Sequence, residues 1–345
     1  NISSDDEAAL IVDNELSDYK AKIIDKKIYV DYKFVHDSLN SRFYWDANEN
    51  VLLYTTASDI ISAAADSNSY SVTKQTNDFG YPIVKATSDS ALIALDYVKQ
   101  YSNITFKSYD DPARIVITSK WDEIDSATVS KSTQVRVKGG IKSPILKEVK
   151  KDDKITILDS GDKWDKIATE DGVIGYIKGK ALSESKKTKL TNPDYEEETF
   201  THIKKDKDIC LAWNQVTSQS ANSKVPQVIS STKGINVMSP TWFYLNDNNG
   251  NLADIASKDY VSYCHSQGIE VWGLFSNFEN TDVDAAYVLT HTSTRTTLIN
   301  QIMSAAINYE LDGVNIDFEK ITEAAYGDSY IEFIRELAIK CHNNG

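Results

Sequence analysis

The chain has 345 residues, a formal net charge of −14 and 41% hydrophobic residues, enough apolar material for two or three separate cores. That acidity argues against nucleic acid as a partner, and no run of 18 apolar residues exists to span a membrane. Cys210, Cys264 and Cys341 each sit in an apolar pattern and read as buried free thiols, while His36, His202, His265, His291 and His342 show no ligand spacing, so neither a metal nor a cofactor is expected.

Residues 1–20 read as an N-terminal tail. Asn1 to Glu7 are polar and acidic rather than basic and then apolar, so a signal or anchor is expected to have been removed. Residues 21–124 contain an internal repeat. Phe34-Val35-His36 leads through Phe43-Tyr44-Trp45-Asp46 to Val51-Leu52-Leu53-Tyr54-Thr55, and about 63 residues later Tyr97-Val98-Lys99 leads through Ile104-Thr105-Phe106 to Ile115-Val116-Ile117-Thr118. Each copy reads as a short helix, a strand, an Asp-containing turn and a second strand. The pattern resembles the small repeat of the N-terminal domain of copper amine oxidases, also found in bacterial surface proteins. The resemblance implies a spacer or wall-contact module.

Residues 131–183 read as a separate small all-β barrel. Val135–Val137, Pro144–Leu146, Lys154–Leu158, Trp164–Ile167 and Gly172–Ile177 are short strands between Gly, Asp and Pro turns. Gly161-Asp162-Lys163-Trp164 and Asp171-Gly172 with Gly175-Tyr176 resemble bacterial Src-homology-3-like domains. That resemblance implies contact with a cell-wall peptide or glycan, or a bare scaffold with Trp164 and Tyr176 in its core. Residues 184–206, rich in Lys, Glu, Thr and Asn, read as a linker.

From 207 to 345 the pattern changes to alternating strands and helices. Ile209–Trp213, Ile235–Pro240 and Ile269–Phe275 read as buried strands. Ile299, Ile302, Met303, Ala306 and Ile307 follow helical spacing, as do Tyr330, Phe333, Ile334, Leu337, Ala338 and Cys341. This predicts an α/β region with a parallel sheet, part of a TIM barrel of about four βα units, whose chemistry sits at the C-terminal strand ends. The 139 residues from Lys207 to Gly345 hold four strands where a whole barrel takes about 250 residues, so the parent protein is expected to be longer. At the strand ends, Trp213, Trp242 and Phe243 are candidates to stack on sugar faces, and Asn277 to bind hydroxyls.

The fourth strand carries the chemistry. In Leu311-Asp-Gly-Val-Asn-Ile-Asp-Phe-Glu-Lys320, alternation puts Asn315, Asp317 and Glu319 on one face and Val314, Ile316 and Phe318 on the other. Asp317 and Glu319 are about 6.6 Å apart along the backbone, near enough for repulsion and partial burial to keep one protonated as a general acid. Glu319, the outer and longer side chain, is expected to be that acid. Asp312-Gly-Val-Asn315-Ile-Asp317-Phe-Glu319 resembles the fourth-strand signature of glycoside hydrolase family 18, Asp-x-x-Asp-x-Asp-x-Glu, with Asn at the second acidic position. The resemblance implies that Glu319 protonates the glycosidic oxygen and that Asp317 orients the 2-acetamido group, whose carbonyl oxygen attacks the anomeric carbon. Asp312 and Asn315 complete the motif. Acids on one strand face cannot easily flank both sides of a sugar ring, which points independently to a nucleophile supplied by the substrate.

Two functions from different classes follow. One is a glycosidase outside the bacterial cell or on its surface, cutting β-1,4 bonds beside N-acetylglucosamine, with cell-wall peptidoglycan preferred over chitin-type oligomers. The other is a barrel-derived domain that only binds cell-wall glycan or a surface partner.

Overall fold

The computed structural model describes residues 7–321 and 324–345. It divides into two compact units, Asn1–Ser41 with Pro82–Glu197, and Arg42–Tyr81 with Glu198–Gly345.

The first unit holds two seven-stranded sheets. In one, the strands run in the order Thr105–Asp110, Ala113–Thr118, Glu7–Val12, Glu15–Ile24, Lys27–Asp31, Ala91–Ala94, Val84–Ala86, around buried Leu10, Val30, Ile93, Ile115 and Ile117. The second repeat copy forms as expected, with helix Leu95–Tyr101 ahead of its two strands. The expected tail does not: Glu7–Val12 pairs in parallel with Ala113–Thr118, so it is an interior strand, and residues 1–6 lie outside the described residues. Glu15–Ile24 is largely exposed and lacks an apolar run, but backbone pairing on both sides holds it as a strand.

The other sheet is antiparallel, in the order Ile145–Val149, Thr133–Arg136, Ile174–Lys178, Trp164–Thr169, Lys154–Asp159, Glu123–Thr128, Lys186–Lys189. Val129, Val135, Val149, Ile155, Ile167 and Ile177 fill its core. All five expected strands are present, and two more widen the unit beyond 131–183. Lys186–Lys189 falls inside the expected linker, because Ser126 and Asp125 of the neighbouring strand take up its backbone.

In the second unit, residues 42–81 form a five-stranded antiparallel meander beginning with Tyr44–Asp46 and Val51–Thr55. These are the strands of the first repeat copy, so the module expected over 21–124 is divided between the two units. The polar contacts of this meander explain the division. Asp46 accepts hydrogen bonds from the Thr292 N–H (2.7 Å) and hydroxyl (2.5 Å), and Glu49 accepts from the Ser293 N–H (2.8 Å). Tyr44 and Ser329 share a hydroxyl–hydroxyl bond of 2.7 Å.

The remainder alternates strand and helix: β1 (Leu211–Asn214), α1 (Val225–Ser230), β2 (Val237–Pro240), β3 (Phe243–Leu245), β4 (Leu252–Asp254), α2 (Lys258–Ser266), β5 (Glu270–Ser276), α3 (Ala285–Thr290), α4 (Thr292–Tyr309), β6 (Gly313–Asp317) and α5 (Ala324–Asn343). Strands β1, β2, β5 and β6 are parallel neighbours in chain order, the arrangement of successive βα units. The β3–β4 hairpin adds to the C-terminal end of β5, with Phe243 opposite Phe275. Ile299 and Ile302 of α4 and Phe333 and Leu337 of α5 are buried as their spacing predicts, whereas Ile307 is 63% exposed. Gly313 is required where it stands, because a Cβ there would meet the Trp272 ring at 2.9–3.0 Å.

The face of α5 toward residues 42–81 is not apolar. Glu332 and Glu336 are both buried, with fully buried Arg295 of α4 between the elements. Arg295 donates from Nε to Glu336 Oε2 at 2.5 Å and from Nη1 to the Leu289 carbonyl at 2.9 Å, and its guanidinium lies 5.2 Å over the Tyr44 ring. Both Glu332 carboxylate oxygens are buried without a hydrogen-bond partner among the described residues. Burial, then the Glu336 charge, pushes the Glu332 carboxyl up to about 8.

Candidate active site

The expected two faces of β6 are present. Val314, Ile316 and Phe318 pack into the core between sheet and helices, and the Phe318 ring stacks on Phe333 at 5.5 Å. On the opposite face, Asn315 donates from Nδ2 to the buried Ser239 hydroxyl of β2 at 3.1 Å. Asp317 lies opposite Ser276, the last residue of β5. Ser276 in turn donates to Glu279 at 2.6 Å and to the Phe243 carbonyl at 3.3 Å.

Glu319 follows the strand and is exposed, so the partial burial expected of it is not found. Its backbone is held from one side. Asn277 accepts the Glu319 N–H at 2.8 Å and donates to the Glu319 carbonyl at 3.1 Å, so a side-chain amide prolongs the β5–β6 pairing by one residue. Lys320 then adopts a left-handed φ of 62° and the chain leaves the sheet. Asn277 was expected to bind sugar hydroxyls. Its amide is instead committed to the backbone that carries Glu319. Asn277→Ala is expected to release this clamp and to speed hydrogen exchange at the Glu319 amide by about tenfold, one hydrogen bond's net worth. Unchanged exchange by NMR would show that the clamp holds nothing.

Three other residues depart from expectation. Asp312 lies at the N-terminal end of β6, away from Glu319, where Oδ2 accepts the Val271 N–H at 2.8 Å and sits 2.8 Å from His265 Nε2. It fixes the register of β6 against β5. Trp242 is 0% exposed: its indole N–H donates to Asn222 at 2.7 Å and its ring meets Tyr260 edge-on at 4.8 Å. Phe243 is 2% exposed and stacked on Phe275 at 4.5 Å. Both aromatics are core, because the β3–β4 hairpin folds back on β5 and turns them inward. Trp213, at the end of β1 and paired in register with Ser239, is 70% exposed.

Sequence reasoning missed Ser239, Glu279, Tyr326 and Tyr330. The Tyr330 hydroxyl is pushed up first by burial and then by the Asp317 charge, while its ring packs against Phe318. Helical spacing marked Tyr330 as a core position, and it packs there. Taken together, the open end of the parallel sheet carries Asn315 and Asp317 on β6, Glu319 two residues beyond on backbone that Asn277 holds, Glu279 bonded to Ser276, and an exposed indole on the first strand.

No family model matches the chain, and no curated protein matches it. Among solved structures, a chitinase from Chromobacterium violaceum is similar at 17% identity and TM-score 0.33, over 40% of this chain and 43% of that one. The spore cortex-lytic enzyme SleL of Bacillus megaterium is similar at 17% identity and TM-score 0.34, over 45% of this chain and 37% of that one. A GH18 chitinase from Cycas revoluta in complex with (GlcNAc)3 is similar at 12% identity and TM-score 0.33, over 39% and 41%. The chain thus spans less than half the length of each of these structures. The geometry of β6 and its flanking residues, and not these likenesses, carries the functional reading.

Proposed function

We propose that the chain is part of a glycoside hydrolase that cleaves β-1,4 bonds next to N-acetylglucosamine by substrate-assisted catalysis with retention of configuration. The observation that supports this is Asn315 and Asp317 alternating on β6, with Glu319 two residues past its end, at the C-terminal end of the parallel sheet. Glu319 gives its proton to the glycosidic oxygen as the bond to the anomeric carbon breaks. The acetamido carbonyl oxygen of the same sugar closes on that carbon from the other side. Asp317 accepts the acetamide N–H and stabilises the positive charge of the resulting ring. Water then opens the ring, returning its proton to the Glu319 carboxylate. Asn315, neutral and tied to Ser239, holds the inner part of the face without adding a third charge. The substrate is cell-wall peptidoglycan or a chitin-type oligomer met outside the bacterial cell.

A fluorogenic N-acetylglucosamine oligomer and purified peptidoglycan test the reading directly. Release of product from either is expected, with competitive inhibition by a thiazoline analogue of N-acetylglucosamine. Turnover indifferent to the thiazoline would remove the acetamido step, and no turnover of either substrate would remove the hydrolase. A second reading, a non-catalytic glycan-binding domain, is favoured by the exposure of Glu319, since a carboxyl kept protonated for acid catalysis ordinarily gains from burial.

A further inference from the structure

The small β unit carries a feature that hydrolysis does not use. Thr133–Arg136 and Ile145–Val149 pair as a hairpin whose tip, residues 137–144, is tightly built. The Val137 N–H donates to the Pro144 carbonyl (3.0 Å), the Ser143 N–H to the Gly140 carbonyl (3.1 Å), and the Lys138 N–H to the Ser143 hydroxyl (2.8 Å). Arg136 Nη1 binds the Ser143 carbonyl at 2.6 Å. Gly139 rests on Trp164, where an added Cβ would come within 3.0 Å of the side chain. This preformed tip nevertheless exposes aliphatic surface: Val137 is 42% exposed, Ile141 67%, Ile145 49% and Leu146 46%. Lys138 and Lys142, on either side of Ile141, are exposed as well.

The charge around the tip runs against that of the whole protein. From Val135 to Lys147 there are four cationic side chains and no acid, and residues 131–183 hold twelve Lys and Arg against eight Asp and Glu, in a chain of net charge −14. A basic hairpin with an aliphatic apex fits a partner that is anionic at its surface and apolar just beneath. An anionic polysaccharide would satisfy the lysines but would leave the four aliphatic side chains in water.

We propose that this hairpin docks on a bilayer containing anionic lipid, with Ile141 inserted below the headgroups and Lys138 and Lys142 on the phosphates. Because the tip is already ordered, docking costs little conformational entropy. The contact is independent of the glycosidase reading, since no residue of β6 takes part.

Sedimentation of the full chain with vesicles tests it. Vesicles of phosphatidylglycerol and phosphatidylcholine should bind the chain, and vesicles of phosphatidylcholine alone should bind it at least tenfold more weakly. Each of Lys138→Ala and Lys142→Ala should weaken binding about fivefold, and raised salt should do the same. Ile141→Asp should abolish binding, while circular dichroism and thermal midpoint stay near wild-type values because the side chain is mostly exposed. Failure of the wild type to bind anionic vesicles would overturn the proposal, as would equal binding by Ile141→Asp. Binding to purified cell-wall sacculi without binding to vesicles would overturn it too, in favour of a wall polymer.

Discussion

Replacing Glu319 by Gln is expected to lower kcat on an N-acetylglucosamine oligomer by about 10²–10⁴-fold, the usual contribution of a positioned general acid, with KM nearly unchanged. Gln keeps the volume and hydrogen-bonding reach of the side chain but has no acidic proton for the leaving oxygen. The substitution is safe for folding, because Glu319 is exposed and its backbone, not its carboxylate, is what Asn277 holds. Asp317→Asn is expected to act differently, weakening the grip on the acetamido group while leaving the acid in place. The loss in Glu319→Gln should therefore shrink on substrates with activated leaving groups, which need no proton, while the loss in Asp317→Asn should persist on them. Equal kcat for wild type and Glu319→Gln, with both folded, would remove Glu319 from the reaction.

The second large effect concerns stability. Glu332 is buried beside Glu336, its oxygens lack hydrogen-bond partners among the described residues, and its carboxyl is raised from 4.5 to about 8. The folded chain therefore keeps a proton that the unfolded chain releases above about pH 4.5. Stability is full below that pH, declines as pH rises toward 8, and levels off once the folded carboxyl ionises too. At roughly 1.4 kcal/mol per pH unit the decline amounts to several kcal/mol, an upper figure because Glu336 on the same helix and Arg295, Arg335 and Arg42 facing it share the charge. Urea unfolding between pH 5 and 9 measures it. Glu332→Gln, which cannot ionise, should flatten that part of the profile, and an unchanged slope would assign the pH dependence elsewhere.

The β6 strand was legible because alternation of apolar and polar residues is a local property, and a buried strand that ends in acids states both its faces and its open end. The helical faces of α4 and α5 were legible for the same reason, at a period of 3.6. What escaped was decided by distant partners. Trp242-Phe243 after a strand reads identically whether the next turn opens outward or folds back, and only the pairing of Phe243 with Phe275 settles it. Nothing near Asn277 announces Glu319, 42 positions away. The burial of Glu332 and Glu336 has no local mark, since an arginine on another helix leaves no periodic trace. Glu15–Ile24 was hidden by its own polarity, being a strand held by backbone pairing.

The bonds from Asp46 and Glu49 to Thr292 and Ser293 have a bearing on how the molecule is made. His291, at the N-cap position of α4, provides no side-chain cap, so the helix takes its closing acceptors from a segment 246 positions earlier. A ribosome would release that acceptor long before the helix it serves exists. Such remote closure raises contact order and slows acquisition of the native state. It also means that a piece cut to begin at residue 207, where the alternating strands and helices start, would be born with an uncapped α4, and supplying residues 42–81 in the same chain is the way to restore it.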